Sequence, residues 1–437
     1  MSVFKNILHT AGTRILNALF NLVILILITH TAGSKGLGLI SLIVLDITVI
    51  QLIMGLIAGG SLIYFASRYR TIQLLFISYV WIILTTVLFF ILGQMWMVSF
   101  PVFYGKIVPQ SYAADIICLG LLNGFMQIHY NLLIGQKQIG IYNRIFTLQI
   151  SLFLISFAWQ LFFLGTYGPI AYVHSLYLSW GTGSLLGLFY ILKNTKNYSL
   201  YGWTKVLTNI LHYGMPTQAA VMLHIGNKRL SFYFIRLFAG LAPLGIYNAG
   251  VQLTEGLRLI GQSISLVQYS SISNSRSREY ARQLTIQLMK FTFILTFLAL
   301  MILFFIPESL YSLAFSSEFS VVKMIVLVLS PGVLALGANT IFSHYFSGMG
   351  QPAVNLYANI IGFVFTVLFA FLLIPPFGYM GAAATASVNY SASAVYQYFI
   401  FRKRTRTRFS EWFLRKNDVT GFAATLGQLF RQKNAHQ

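Results

Sequence analysis

The sequence has very few of the residues that build a water-facing surface or a disulfide framework. Only 8% of its 437 residues are charged, whereas about 25% of a soluble domain is charged. With 57% apolar residues, the composition excludes an ordinary soluble globular protein. Cys118 is the single cysteine, which excludes an intramolecular disulfide. Carboxylates are scarcest, since 8 Asp and Glu face 29 Lys and Arg and the net charge is +21.

Long apolar runs fill most of the chain. About 20 apolar residues cross the ~30 Å of membrane hydrocarbon, and backbone groups in lipid must bond within their own segment. We therefore expect an all-α polytopic membrane protein. The first run is expected to remain as an anchor, because no small-residue cleavage site follows it. About twelve transmembrane helices are predicted, and charges interrupt the seventh and eighth: residues 9–32, 37–64, 72–98, 112–134, 141–164, 169–192, 207–238, 243–271, 283–306, 320–346, 353–375 and 379–401.

The positive charges follow an alternating pattern that indicates topology and argues against nucleic-acid binding. Basic residues cluster in every second loop and after the last span. The intervening loops hold only Lys35 and Lys106, with Lys323 at the start of the tenth span. By the positive-inside rule, both termini are predicted to be cytoplasmic. Anionic phospholipids are expected partners of the remaining basic charge. The tail after residue 402 predicts either a surface helix with Phe409, Trp412 and Phe413 on one face or a frayed basic segment.

An internal repeat divides the chain. The stretch "TAGSKGLGLI" at 31–40 resembles "FAGLAPLGIY" at 238–247, and two further pairs, "LIGQKQ" with "FSGMGQ" and "TYGPIAY" with "PFGYMGA", follow in the same order. The three offsets of 207, 213 and 210 residues predict two six-helix lobes with the same membrane polarity and a central cavity between them. We expect lobes at 1–192 and 207–401, a cytoplasmic linker at 193–206 and a basic cytoplasmic tail at 402–437.

Polar side chains recur at helical spacing in several spans, where exposure to lipid would be costly. They either line a wet cavity that binds a polar ligand, or they form hydrogen bonds between packed helices. Both interpretations stay open. The candidates for the cavity are Asn17 and Asn21 in span one, Asn123 and Gln127 in span four, and Asn248, Gln252 and Gln262 in span eight.

Cations outnumber carboxylates within the predicted spans. A charge at the bilayer centre costs roughly 3 kcal/mol on insertion scales, so a surplus of one sign predicts a ligand of the opposite sign. Arginine matches phosphate oxygens in geometry. The alternative is that these cations pair with helix C-termini, or that the predicted span ends are misplaced. The candidate anion-binding residues are Arg14, Lys228, Arg229 and Arg258.

Two intramembrane carboxylates are candidates for ion coupling. Asp46 and Glu255 lie well inside predicted spans, whereas Asp115 is near the start of its span, and either of the first two can carry a proton or bind sodium. Glu255 lies one helical turn from Arg258 and can also pair with it. Four histidines, which are more often packed core residues, are secondary candidates for proton transfer: His129, His174, His224 and His344. No cofactor is expected beyond a coupling ion, H⁺ or Na⁺.

Several stretches in order resemble the polysaccharide-transporter branch of the multidrug/oligosaccharidyl-lipid/polysaccharide (MOP) exporter superfamily. They are "NILHTAGTRILNALFNLVILILIT", "LHYGMPTQAA", "FAGLAPLGIYNAGVQL", "HYFSGMGQPAVNLYANIIG" and "LLIPPFGYMGAAATAS". The resemblance implies a MATE-like fold whose lobes open alternately. It also implies a flippase of undecaprenyl-pyrophosphate-linked oligosaccharides for O-antigen, capsule or exopolysaccharide in the bacterial inner membrane. Arg14, Lys228, Arg229 and Arg258 would then hold the pyrophosphate, and polymerase or assembly proteins would be partners.

One departure from the family and three competing functions remain. Many members of the family carry an acidic residue before the basic one in span seven, whereas this chain has "GNKRLS" at 226–231, so no ion-coupling carboxylate is carried over to that position. A drug or metabolite exporter of the same superfamily would favour carboxylates, and a peptidoglycan-precursor flippase would carry two more helices. A polymerase or ligase of lipid-linked glycans would need a catalytic outer loop. The outer segment 307–319 holds Glu308 and Glu318 without paired-carboxylate or metal spacing, and we expect that the protein is not an enzyme.

Overall fold

The computed structural model describes residues 3–195, 198–273 and 277–413, without the side chains of residues 3–15, 263, 266, 267 and 270. Within these residues the regular structure is helical. Short 3₁₀ turns lie at Gln110–Tyr112, Ser317–Phe319 and Phe409–Trp412. The α-helices are α1 Val3–Ala58, α2 Gly60–Phe65, α3 Thr71–Ser99, α4 Pro101–Ile107, α5 Ala113–Gly135, α6 Ile139–Phe162, α7 Pro169–Asn194, α8 Trp203–Phe238, α9 Leu241–Ser273, α10 Arg278–Phe305, α11 Glu308–Phe315, α12 Val322–Gly348 and α13 Ala353–Thr405.

The long helices coincide with the predicted spans, and the chain is an all-α polytopic membrane protein. Helices α1 and α13 each combine two spans across a kink, where Gly33 has φ 64° and Gly378 has φ 54°. Glycine adopts this left-handed conformation without steric cost, so the chain turns there without a loop. In the described residues, eight helical segments are long and apolar enough to cross a membrane. Helices α8 and α9, with 36 and 33 residues, are not among them, because charges lower their hydropathy.

Contacts group the chain into two compact units. Unit 1 contains Met1–Leu253, Pro307–Ile325 and Thr366–Thr385, and unit 2 contains Thr254–Ile306, Val326–Phe365 and Ala386–Gln437. Helix α8 and the first part of α9 therefore pack with the N-terminal helices in this conformation. The lobes at 1–192 and 207–401 were predicted from the sequence repeat, whereas these units are defined by contacts between residues. The lobes therefore stay a prediction.

The two repeated turns pack directly against each other in unit 1. A Cβ placed on Gly38 would lie 2.0 Å from the carbonyl oxygen of Leu241, and a Cβ on Gly245 would lie 2.0 Å from that of Ser34. Any side chain larger than hydrogen would separate the two backbones. Three residues beyond each glycine, Asn248 Nδ2 donates to Ser41 Oγ at 2.7 Å.

The segment 307–319, which follows α10, packs against the kink in α1. The backbone N–H of Ser34, which follows Gly33, donates to Glu318 Oε2 at 2.8 Å. His30 Nε2 lies 3.1 Å from the carbonyl oxygen of Ala314. A carboxylate at the start of a helical segment satisfies a free N–H and favours the helix dipole. Glu318 is therefore a helix-capping residue in this structure.

Polar side chains join the helices of unit 2. Gln397 Nε2 on α13 donates to Ser343 Oγ at 2.9 Å and to Asn355 Oδ1 at 3.0 Å. Gln268 Nε2 on α9 donates to Thr285 Oγ1 at 3.0 Å. Each bond gives a buried amide NH₂ group a partner that lipid could not supply.

The start of the C-terminal tail packs against unit 2. Trp412 contacts Phe342, Tyr398 and Phe401 with ring centroids about 6 Å apart, and Arg282 Nη1 donates to Glu411 Oε2 at 2.5 Å. Phe409 and Phe413 are 61% and 62% exposed. The shared apolar face predicted for the three aromatic residues is therefore wrong, because the 3₁₀ turn directs Trp412 inward and leaves Phe409 and Phe413 outside. Residues 414–437 lie outside the described residues.

Candidate functional site

The polar line on α1 lies on the half of the helix that precedes Gly33. Asn21 is exposed and its Nδ2 donates to Asn17 Oδ1, one turn earlier, at 3.1 Å. Both amides keep free hydrogen-bonding capacity, because this bond uses one donor and one acceptor. Arg14 lies on the same helix, and its side chain is outside the described part of the structure.

Helix α5 presents a second amide pair. Gln127 is exposed and Asn123 is half-buried, and Gln127 Nε2 donates to Asn123 Oδ1 at 3.4 Å. One turn further, Asn131 Nδ2 donates to the carbonyl oxygens of Ala58 and Gly59, at 3.0 and 3.3 Å, where α1 gives way to α2. On α5, the amides of Asn123 and Gln127 are therefore accessible to a ligand, whereas Asn131 forms a structural contact with another part of the chain.

Three of the four cations of α8, Lys228, Arg229 and Arg236, lie in the second half of a helix that contains no carboxylate. Lys228 and Arg229 are half-buried, and the Arg229 guanidinium lies 5.0 Å from the centroid of the Phe232 ring. That distance permits a cation–π contact. Nearer the start of α8, Gln218 Nε2 donates to the carbonyl oxygen of Leu52 at 2.7 Å and fixes this helix on α1.

The candidates on α9 divide between the two units. Asn248 is buried and bonded to Ser41, and Gln252 is half-buried; both belong to unit 1. Glu255, Arg258 and Gln262 are half-buried and belong to unit 2. Asn248 forms a helix contact in this conformation. The convergence of Arg258 with the cations of α8 stays a prediction.

Asp46 lies at a cavity within unit 1. It is 7% exposed, and its Oδ1 accepts a hydrogen bond from the Tyr233 hydroxyl at 2.6 Å. Its Oδ2 has no hydrogen-bond partner among the described residues. The cavity, about 640 Å³ in volume, is lined by residues of α1, α3, α4, α5 and α8. The scarcity of acidic residues pointed to Asp46, but nothing in the sequence distinguished Tyr233 among 25 tyrosines.

The histidines form packing contacts. His129 Nε2 lies 2.5 Å from the Tyr79 hydroxyl, His174 Nδ1 lies 3.2 Å from Gln160 Oε1, and His344 Nδ1 lies 2.8 Å from the carbonyl oxygen of Thr340. His224 is exposed on α8. In the described residues, no three His, Cys, Asp or Glu side chains come close enough to hold a metal ion.

Comparison with known proteins gives short sequence matches. No protein-family model matches the chain. An uncharacterized membrane protein of Methanocaldococcus jannaschii is 25% identical over 217 residues, 48% of this chain and 43% of that protein. The capsular polysaccharide biosynthesis protein CapF of Staphylococcus aureus is 27% identical over 99 residues, 23% of this chain and 25% of that protein. The alignments thus span less than half the length of these curated relatives.

Solved structures match almost the whole chain. The lipid II flippase MurJ, in its inward closed conformation, matches with a TM-score of 0.74, 14% identity and coverage of 93% of this chain and 89% of that one. An inward-facing multidrug resistance MATE family transporter of the MOP superfamily matches with a TM-score of 0.68, 16% identity and coverage of 89% and 94%. The chain therefore has the fold of MOP superfamily transporters. Its structural neighbours are transporters and flippases.

Proposed function

We propose that this protein is a flippase that moves undecaprenyl-pyrophosphate-linked oligosaccharides across the bacterial inner membrane. The observation that carries the proposal is the composition of α8. Its 36 residues contain Lys205, Lys228, Arg229 and Arg236 and no carboxylate. Lys205 is exposed, whereas Lys228, Arg229 and Arg236 are half-buried. Half-buried cations in a membrane helix favour an anionic cargo, and the fold shared with a lipid II flippase supports a lipid-linked one.

The candidate residues take distinct roles in this mechanism. Arg14, Lys228, Arg229 and Arg258 neutralise the pyrophosphate in a cleft between the predicted lobes, which lowers the cost of bringing it to membrane depth. The exposed amides of Asn21 and Gln127 hydrogen-bond sugar hydroxyls. The polyprenyl chain stays in lipid while the lobes alternate between inward-open and outward-open states.

Location and partners follow from the same proposal. Both termini lie in the cytoplasm, as the alternation of basic loops favours. The cargo is then taken from the cytoplasmic face and released outside for O-antigen, capsule or exopolysaccharide assembly. A polysaccharide polymerase or assembly protein receives it, and anionic phospholipids surround the basic loops. The match of a 99-residue segment to a capsular polysaccharide biosynthesis protein supports this setting.

Proteoliposomes that carry a labelled lipid-linked oligosaccharide in the inner leaflet test the proposal directly. We expect Arg14→Ala and the double variant Lys228→Ala/Arg229→Ala to slow its appearance outside by at least about tenfold, the equivalent of 1.4 kcal/mol in the barrier. Lys193→Ala is the matched control, because this cation at the end of α7 is exposed. If Arg14→Ala and the double variant both flip the lipid at the normal rate, the anion site is rejected. If Lys193→Ala slows flipping equally, the proposed location of the site is rejected.

A second candidate is export of a drug or metabolite. The likeness to a multidrug resistance MATE family transporter favours it, as does the buried carboxylate of Asp46. The same proteoliposomes, incubated with a labelled cationic drug outside in place of the glycolipid, separate the two functions. Uptake of the drug that depends on Asp46, with no flipping of the glycolipid, would favour the exporter.

A further inference from the structure

An arginine and two tyrosines form a three-layer stack where α2 meets α8. The Arg68 guanidinium lies 3.6 Å from the centroid of the Tyr64 ring, and the Tyr213 ring stacks on Tyr64 with centroids 4.5 Å apart and planes 11° apart. Both groups cannot occupy one face of the ring, so Tyr64 lies between them. The buried Phe65 contacts both tyrosine rings edge-on. The stack therefore fixes the plane of the guanidinium, a group that is otherwise free to rotate.

The fixed guanidinium keeps most of its hydrogen-bonding capacity. Arg68 Nη1 donates to the carbonyl oxygen of Tyr64 at 2.7 Å, which uses only part of the donor set of a guanidinium. Arg68 is exposed, and Tyr64 and Tyr213 are each 39% exposed. The remaining N–H groups are therefore open to a ligand. A planar guanidinium with parallel N–H groups matches the oxygens of a phosphate in geometry.

The end of α5 holds a further cation beside this stack. A Cβ on Gly135 would lie 2.6 Å from the Cβ of Ala66, and Gln136 Nε2 donates to Thr71 Oγ1 at 3.0 Å. These contacts place the turn that contains Lys137 against the loop that follows α2. Lys137 is exposed and has φ 61°, although glycine usually occupies this left-handed position after a helix. Backbone strain of this kind clusters at functional sites.

The loop after α2 and the turn after α5 carry positive charge alone. Arg68, Arg70 and Lys137 are all exposed, and residues 59–71 and 135–138 contain no Asp or Glu. Because close charges of one sign repel each other, an anion that contacts these cations together lowers the electrostatic energy. A pyrophosphate ester carries more charge and more free oxygens than the phosphodiester of a phospholipid. It is therefore the lipid headgroup that this patch fits best.

We propose that Arg68, Arg70 and Lys137 form an entry site for the pyrophosphate of the lipid-linked cargo, at the membrane surface and ahead of the cleft. This role rests on the proposed function, from which its cargo is taken. The predicted topology places both turns on the cytoplasmic side, where the cargo is taken up. Arg68 binds two phosphate oxygens through its parallel N–H groups, and Arg70 and Lys137 supply charge. None of the three belongs to the anion-binding residues of the cleft.

Calorimetric titration of the full-length protein in detergent with farnesyl pyrophosphate, a short isoprenoid pyrophosphate, tests the entry site. The background is Arg14→Ala/Lys228→Ala/Arg229→Ala, which lacks most of the candidate cations of the cleft. We expect this background to keep a binding site. The addition of Arg68→Lys should weaken binding at least about tenfold, because lysine keeps the charge and loses the stacked fork. Arg70→Lys is the matched control and must keep full affinity, since Arg70 is also exposed but lies outside the stack.

The outcomes distinguish this site from the proposed function. Equal affinity of the Arg68→Lys and Arg70→Lys variants would overturn the entry site, since charge alone would then explain binding. Binding by the wild-type protein but not by the background variant would also overturn it and leave the anion site of the cleft in place. If the wild-type protein binds no farnesyl pyrophosphate, the entry site and the proposed function fail together.

Two further measurements identify the ligand and cover a background that fails to fold. Neither phosphatidylglycerol nor inorganic pyrophosphate should displace the isoprenoid at equal concentration, because the first has less charge and the second is not concentrated at the micelle surface. Displacement by phosphatidylglycerol would assign the patch to ordinary anionic lipids, and displacement by inorganic pyrophosphate would assign it to a soluble anion. Either result would overturn the proposal. In the otherwise wild-type protein, Arg68→Lys must lower the number of molecules bound, and an unchanged number would overturn the site as well.

Discussion

The contact between the two repeated turns makes one prediction that can be worked from distances. Gly245→Ala places a Cβ 2.0 Å from the carbonyl oxygen of Ser34. Because carbon and oxygen normally approach to about 3.3 Å, the backbones must separate by roughly 1.3 Å. Overpacking of this kind costs about 1–3 kcal/mol. The separation also stretches the bond from Asn248 to Ser41, which contributes about 1 kcal/mol. The expected total loss is about 2–4 kcal/mol.

The assay compares variants of one helix. Thermal unfolding in detergent, followed by size-exclusion chromatography after heating, should show a clearly lower midpoint for Gly245→Ala. Gly256→Ala on the same helix is the control, because nothing lies within 4 Å of a Cβ there and alanine is the better helix former by about 1 kcal/mol. Its midpoint should be unchanged or higher. If both variants unfold at the same temperature, the turns do not pack as closely as we describe.

Three further predictions concern the segments that close each unit. Glu318→Gln should lower stability by about 0.5–1 kcal/mol, since the charge that caps the N–H of Ser34 is lost, and amide hydrogen exchange at residues 33–37 should rise while that of α6 stays constant. Trp412→Ala should cost about 1–3 kcal/mol because a half-buried aromatic contact is removed, and trypsin should then cut after Arg402–Arg408 faster, with Phe413→Ala as the exposed control. Hydrogen bonds from the backbone N–H of Arg408 and, second, from the Arg282 side chain hold the pKa of Glu411 below its ordinary value of 4.5. The contact therefore stabilises the protein above pH 4.5, and this stability is lost as the pH falls through the lowered pKa. We expect amide hydrogen exchange in the turn at 409–412 to become faster at acidic pH in the wild-type protein but not in Glu411→Gln.

Hydropathy predicted the helices well because lipid imposes a length on each span. The span predicted at 169–192 is the helix Pro169–Asn194. The turns around Gly33 and Gly378 were expected to be loops, and each proved to be a kink at a single glycine of positive φ that joins two helical spans directly. A sequence shows that glycine is present, but whether it ends a helix or only kinks it depends on the neighbours that satisfy the released backbone groups. At Gly33 that neighbour is Glu318, 285 residues later.

The candidate site was predictable only in part. Rarity singled out Asp46, because few carboxylates lie in the spans, but the tyrosine that bonds it lies 187 residues away in the chain. Helical spacing placed Asn248 on a polar face and could not say what meets that face. The structure puts Ser41 there. A polar stripe therefore predicts which side of a helix avoids lipid, and the fold decides whether a ligand or another helix occupies that side.

Gly38 and Gly245, like Ser41 and Asn248, are separated by 207 residues, the offset of the first repeated pair. Each position therefore contacts the residue at the matching place in the other member of this pair of similar stretches. A substitution in one of these turns therefore changes the surroundings of the other. The packing restricts the two turns jointly, so a larger side chain in either one has to be accommodated by both.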